Sequence, residues 1–102
     1  MSIYANGNSG AAKTISFGNP MQSVALSADT TLTLLCKREG KFTLHLITDA
    51  SPRTVTWTGL TFGNTTFTSG ALVTALTAAN KTTILEVNYD GTTARCTSWQ
   101  QF

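Results

Sequence analysis

The chain has 102 residues, a formal net charge of +2 and only 12% charged residues, enough for one domain with a single core. The weak, scattered charge excludes a basic surface of the kind that grips nucleic acid or an anionic membrane, and no apolar run approaches the roughly 20 residues of a membrane helix. Leu, Ile, Val and Phe supply 23 residues and threonine 20; the β-branched excess points to an all-β protein with half-wet strand faces.

Residues 1–12 (MSIYANGNSGAA) lack the basic start and apolar stretch of a signal peptide. Their Gly/Asn/Ser content reads as a flexible N-terminal arm able to reach about 40 Å when extended. Ile3 and Tyr4 near its tip form a small apolar anchor. The remaining chain, 13–102, reads as a single domain. Lys13–Gly18 alternates around Ile15 and Phe17 and stops at Gly18-Asn19-Pro20, and Gln22–Leu26 forms a second short strand before the Ser27-Ala28-Asp29 turn.

Thr30–Lys37 and Lys41–Ile47 read as a hairpin. A three-residue loop at Arg38-Glu39-Gly40 pairs Cys36 with Phe42, Leu34 with Leu44 and Leu32 with Leu46, with Gly40 in the left-handed position. The other face then carries Thr31, Thr33, Leu35, Thr43, His45 and Ile47. Leu35 and Ile47 are too apolar for a fully wet face, so they point to cover by a partner.

Asp49-Ala50-Ser51-Pro52 is a turn, and Arg53–Thr58 alternates Val55 and Trp57 against threonines. Thr65–Thr68 reads as another short strand and Ala71–Ala79 as strand or loop. The strongest local signal lies at 82–99. Asp90-Gly91 between two alternating runs predicts a two-residue type I′ hairpin with Tyr89 opposite Thr92, Val87 opposite Ala94 and Glu86 opposite Arg95. Leu85, Val87, Tyr89, Ala94 and Cys96 share its apolar face. The total is seven to eight short strands with turns every 8–12 residues, the pattern of an antiparallel β-sandwich or jelly roll.

Candidate chemistry is sparse. His45 is the single histidine, with no partner at metal-ligand spacing. Asp49 lies nearby, but no nucleophile elbow completes a hydrolytic site. Four of the five acids (Asp29, Glu39, Asp49, Asp90) fall in or beside turns, and Gly7-Asn8-Ser9-Gly10 lacks the strand and Lys-Thr of a phosphate loop. No catalytic residue, metal or cofactor is expected. Cys36 and Cys96 fall on apolar strand sides and read as buried, reduced thiols. Trp57 and Trp99 are candidates for stacking on a glycan or a partner, or for core positions.

Residues 54–99 resemble a module of bacteriophage virion proteins, found in tail-fibre tips and short decoration proteins. Its carriers are Val55-Thr56-Trp57, the glycine- and aromatic-spaced stretch Gly59–Gly70, and an aliphatic strand ending in Tyr89-Asp90-Gly91-Thr92 before Trp99. Where that module commonly has proline after its first tryptophan, this chain has Thr58. The resemblance implies a small, usually homotrimeric virion part without catalytic residues, acting in the virion after assembly in the host cytoplasm. Its expected partners are its own copies and the major capsid protein or another virion protein, with neither nucleic acid nor membrane. On this reading Ile3, Tyr4, Leu35 and Ile47 form the interface of a capsid decoration protein. The alternative is a tail-fibre tip that stacks Trp57 or Trp99 on host glycans.

Overall fold

The structure is a computed structural model that describes residues 3–17, 19–36, 38–59, 61–62 and 79–102. The expected strand at Thr65–Thr68, nearly all of the Ala71–Ala79 segment and most of the Gly59–Gly70 stretch lie outside the described residues. Nine strands and no helix occur among them: β1 (Tyr4–Asn8), β2 (Ala12–Phe17), β3 (Met21–Leu26), β4 (Thr30–Cys36), β5 (Gly40–Thr48), β6 (Val55–Thr58), β7 (Thr61–Phe62), β8 (Thr82–Tyr89) and β9 (Ala94–Gln101). Each long strand sits where the period-2 pattern placed it, because alternation fixes which side of a strand can be buried.

The strands form two sheets, one ordered β1-β3-β5-β8-β9-β7 and one ordered β2-β4-β6. From β1 to β6 the chain therefore crosses from one sheet to the other at every corner. Each of these strands pairs in parallel with the strand two places away. Antiparallel pairing, expected throughout, is confined to β5 with β8 and β8 with β9. The physical reason lies in the corners. Ser9-Gly10-Ala11 and Ser27-Ala28-Asp29 are three residues each and span about 10 Å, the distance between packed sheets. They carry the chain across the core instead of folding it back beside itself.

The corners stack as the strands do. The Ser27 amide donates to Ser9 Oγ (3.3 Å), and the Gly10 amide donates to Ser27 Oγ (3.0 Å). One level on, the Thr30 amide donates to Thr54 O (2.9 Å) and the Thr54 amide to Asp29 Oδ1 (3.0 Å). Serine and aspartate at these positions satisfy corner N–H groups that strand pairing leaves over.

Both sheets turn an apolar side to one core. Ile15, Phe17, Leu32, Leu34 and Val55 come from the smaller sheet, and Val24, Leu26, Phe42, Leu44, Leu46, Leu85, Val87, Ala94 and Cys96 from the larger. Phe17 and Phe42 stack across the interface with ring centroids 4.8 Å apart.

Three expectations are corrected here. The stretch 1–12, expected as an arm, carries β1 from Tyr4 to Asn8, which pairs with β3 and supplies the edge of the larger sheet. Its asparagine and serine act as anchors: Asn6 Nδ2 donates to Gln22 Oε1 and Ser23 O, and the amide of buried Ser9 donates to Ala25 O. The 30–47 hairpin does not form, since β4 and β5 belong to different sheets; Gly40 has φ +150° rather than a left-handed turn value. The residues expected to pair still share the core, where apolar side chains from opposite sheets meet.

The third correction concerns β8 and β9. Tyr89 pairs with Ala94, Asn88 with Arg95 and Val87 with Cys96. The loop thus has four residues, not two. The Asp90 carboxylate accepts from the amides of Thr92 (2.9 Å) and Thr93 (2.8 Å) and from Arg95 Nη1 (2.6 Å). Those bonds lengthen the turn, and Gly91 alone takes a positive φ, +97°. A slip of two residues preserves the faces, so the apolar set survives while the ion pairs change: Glu86 meets Lys41 (3.6 Å) and Arg95 meets Asp90. An irregularity then sets Glu86 opposite Ser98 and Leu85 opposite Trp99, which returns Trp99 to the core side.

Gly59 follows β6 at φ +86°, and a Cβ there would lie 2.7 Å from the Leu34 carbonyl oxygen. Gly59→Ala should therefore cost about 2 kcal/mol or more. Gly7→Ala, at φ +73° with nothing within 4 Å, should cost about 1 kcal/mol. Urea midpoints for the two variants check that order.

Candidate interaction surfaces

The outward residues of the smaller sheet make a regular field. Ala12, Thr31 and Thr56 align in one row, Thr14, Thr33 and Thr58 in the next, and Ser16 with Leu35 in a third. The outward strand positions of this face carry no charged side chain among the described residues, Asp29 lies at its margin beside Thr31 and Thr56, and Leu35 stands 48% exposed upon it. Parallel pairing in register makes the rows, and threonine tolerates them because its methyl packs on neighbours while its hydroxyl faces water.

The outward face of the larger sheet is mixed. Ala25, Ile47 and Thr82 share a row, and Phe102 extends it by exchanging hydrogen bonds with Thr82 (2.8 and 3.2 Å). Ser23, His45, Ile84 and Gln100 form the next row. Ile47 is 42% and Phe102 63% exposed. A shallow cleft of about 210 Å³ opens between Thr43, Ile84, Glu86, Gln100 and Phe102.

Leu35 and Ile47 were expected on one face. They stand on the outer faces of different sheets, because their strands are not neighbours. The structure therefore offers two separate apolar points, one per sheet. Ile3 and Tyr4 are exposed at the start of β1, on the edge of the larger sheet. Phe102 was missed; its only sequence signal was a terminal aromatic two places beyond an alternating run.

Trp57 and Trp99 are half-buried and pack against the core. Trp99 Nε1 is buried without a hydrogen-bond partner among the described residues. Trp99 also lines the cleft beside Ile84 and Phe102. His45 lies among Ser23 and Ile84, while the Asp49 carboxylate is held by Arg53 Nη2 (2.8 Å) and the Ser51 amide (3.0 Å). These bonds and the Arg53 charge keep Asp49 below the ordinary carboxylate range. No acid among the described residues is bonded to His45. Among the described residues no group of three His, Cys, Asp or Glu side chains could hold a metal.

Both cysteines are free thiols; Cys96 is buried in the larger sheet as expected, whereas Cys36, expected to be buried, is only half-buried at the end of β4. Burial raises the Cys36 pKa, and it pushes Cys96 up to about 11 against a weaker opposing contribution from the Ser98 backbone. No protein-family model, curated protein or solved structure matches the chain.

A thiol whose folded pKa is raised keeps its proton where the unfolded chain, near pH 8.5, releases it. Stability should therefore fall as pH climbs from about 8.5 towards 11, and Cys96→Ala should flatten that slope. Urea unfolding across this range measures it. At pH 8 a thiol reagent should modify the native protein slowly, Cys36 before Cys96, and both at once in denaturant.

Proposed function

We propose that the chain is a non-enzymatic virion structural protein, most specifically a capsid decoration protein that bridges neighbouring capsid subunits. The observation that carries this reading is the charge-free threonine field with Leu35 at its margin, since interface centres are depleted of charge. The exposed pair Ile47 and Phe102 gives the larger sheet a second apolar contact. The resemblance of residues 54–99 to phage virion modules supports the setting, and it also supports assembly as a homotrimer. In this reading the two sheets act as a rigid β-sandwich spacer. One outer face lies against a sister copy and the other against the capsid. Three chains on one axis multiply a weak contact into firm retention, because the second and third attachments are intramolecular.

The mechanism needs no bond chemistry. Each apolar side chain that leaves water contributes in proportion to its buried area, offset by the cost of association. Light scattering on the purified protein should give three times the 10.8 kDa chain mass, and Leu35→Glu should lower it to that of one chain. Ile47→Glu should leave the trimer intact and reduce occupancy on purified particles imaged by cryo-EM. A monomeric wild-type protein that is absent from particles overturns the reading.

A further inference from the structure

We propose that the cleft between β1 and β2, at the open end of the two sheets, binds an acidic saccharide. The cleft has a volume of about 450 Å³ and is lined by Tyr4, Asn6, Lys13, Ser16 and Gln22 among others. This lies in the range of small-molecule sites. It goes beyond the decoration reading and does not depend on it, since its aromatic wall and its charge come from Tyr4 and Lys13 on the edge strands, and it shares only Thr14 and Ser16 with an outer face.

The floor is built and fixed. Gln22 is 1% exposed, its Nε2 donates to Ser16 O (2.7 Å) and Asn19 O (2.9 Å), and its Oε1 accepts from Asn6 Nδ2 (3.1 Å). Asn6 Nδ2 also donates to Ser23 O (3.0 Å). Both amide hydrogens of Asn6 are then committed, and its Oδ1 remains as an acceptor for a sugar hydroxyl. The Ser16 hydroxyl and the unpaired backbone edge of β2 add further polar groups.

One wall is aromatic. Tyr4 pairs with Gln22, which places both on the core side of the larger sheet, and Tyr4 is 56% exposed. A half-open ring beside a fixed acceptor suits a pyranose, whose C–H face stacks on the ring while a hydroxyl donates to Asn6 Oδ1. The charge selects the sugar. Lys13 is the one charged side chain lining the cleft, no carboxylate lines it, and Lys13 has no ion pair among the described residues. An ammonium with no carboxylate beside it favours a ligand carrying one.

The test is an NMR titration of the full chain with trigalacturonate, sialyllactose and neutral maltotriose. At least one acidic sugar should shift the Tyr4, Asn6 and Gln22 resonances and bind about tenfold more tightly than maltotriose. Tyr4→Ala should weaken that binding by about tenfold. Lys13→Gln, which leaves the floor intact, should erase the preference for the acidic sugar. Resonances that stay unmoved with all three sugars, or shifts unaffected by both substitutions, overturn the proposal.

Discussion

The structure depends on one arrangement: from β1 to β6 every corner carries the chain across the core to the other sheet, so successive strands face each other through side chains instead of pairing. Three residues are enough to reach from sheet to sheet, residues 49–54 make the longer corner before β6, and each strand from β3 to β6 lies beside the strand two places before it. Main-chain hydrogen bonds then link levels, and side chains link sheets. Ser9, Ser27 and Asp29 make the corners themselves cohesive, so the stacking is held at its margins as well as in its ladders.

Parallel stacking in near-constant register also explains the surfaces. Residues of one kind fall above one another, and the threonines of β2, β4 and β6 become a field rather than a scatter. The antiparallel pair β8 and β9 widens the larger sheet beyond the smaller one and gives it a different outer face, with aliphatic and aromatic side chains beside His45 and the Lys41–Glu86 pair.

The open end is treated differently. A parallel stack leaves strand edges that invite further strands. Here β1 departs from regular register between Ala5 and Asn8, and Lys13 takes an inward position on β2. Gln22 closes the core beneath them with satisfied bonds. The same polar closure that blunts the edge leaves a walled cleft, which is why a candidate binding site appears where the apolar core stops.

The sequence by itself determined where the long strands lie and which side of each is buried. Leu32, Leu34, Phe42, Leu44, Leu85, Val87 and Cys96 all stand where alternation put them, because the side-chain period of a strand is a local property. It did not determine neighbours. Apolar pairs such as Leu34 with Leu44 satisfy a hairpin and a packed pair of sheets equally well, so the period cannot tell a hydrogen-bonded partner from one across the core. Asp90-Gly91 marked a turn, but only the bonds from Thr92, Thr93 and Arg95 to Asp90 set its length and moved Arg95 away from Glu86. The separation of Leu35 from Ile47, the cleft at Tyr4 and the half-burial of both tryptophans follow from which strands lie side by side. That is a non-local choice, fixed by corner length and by how the core fills.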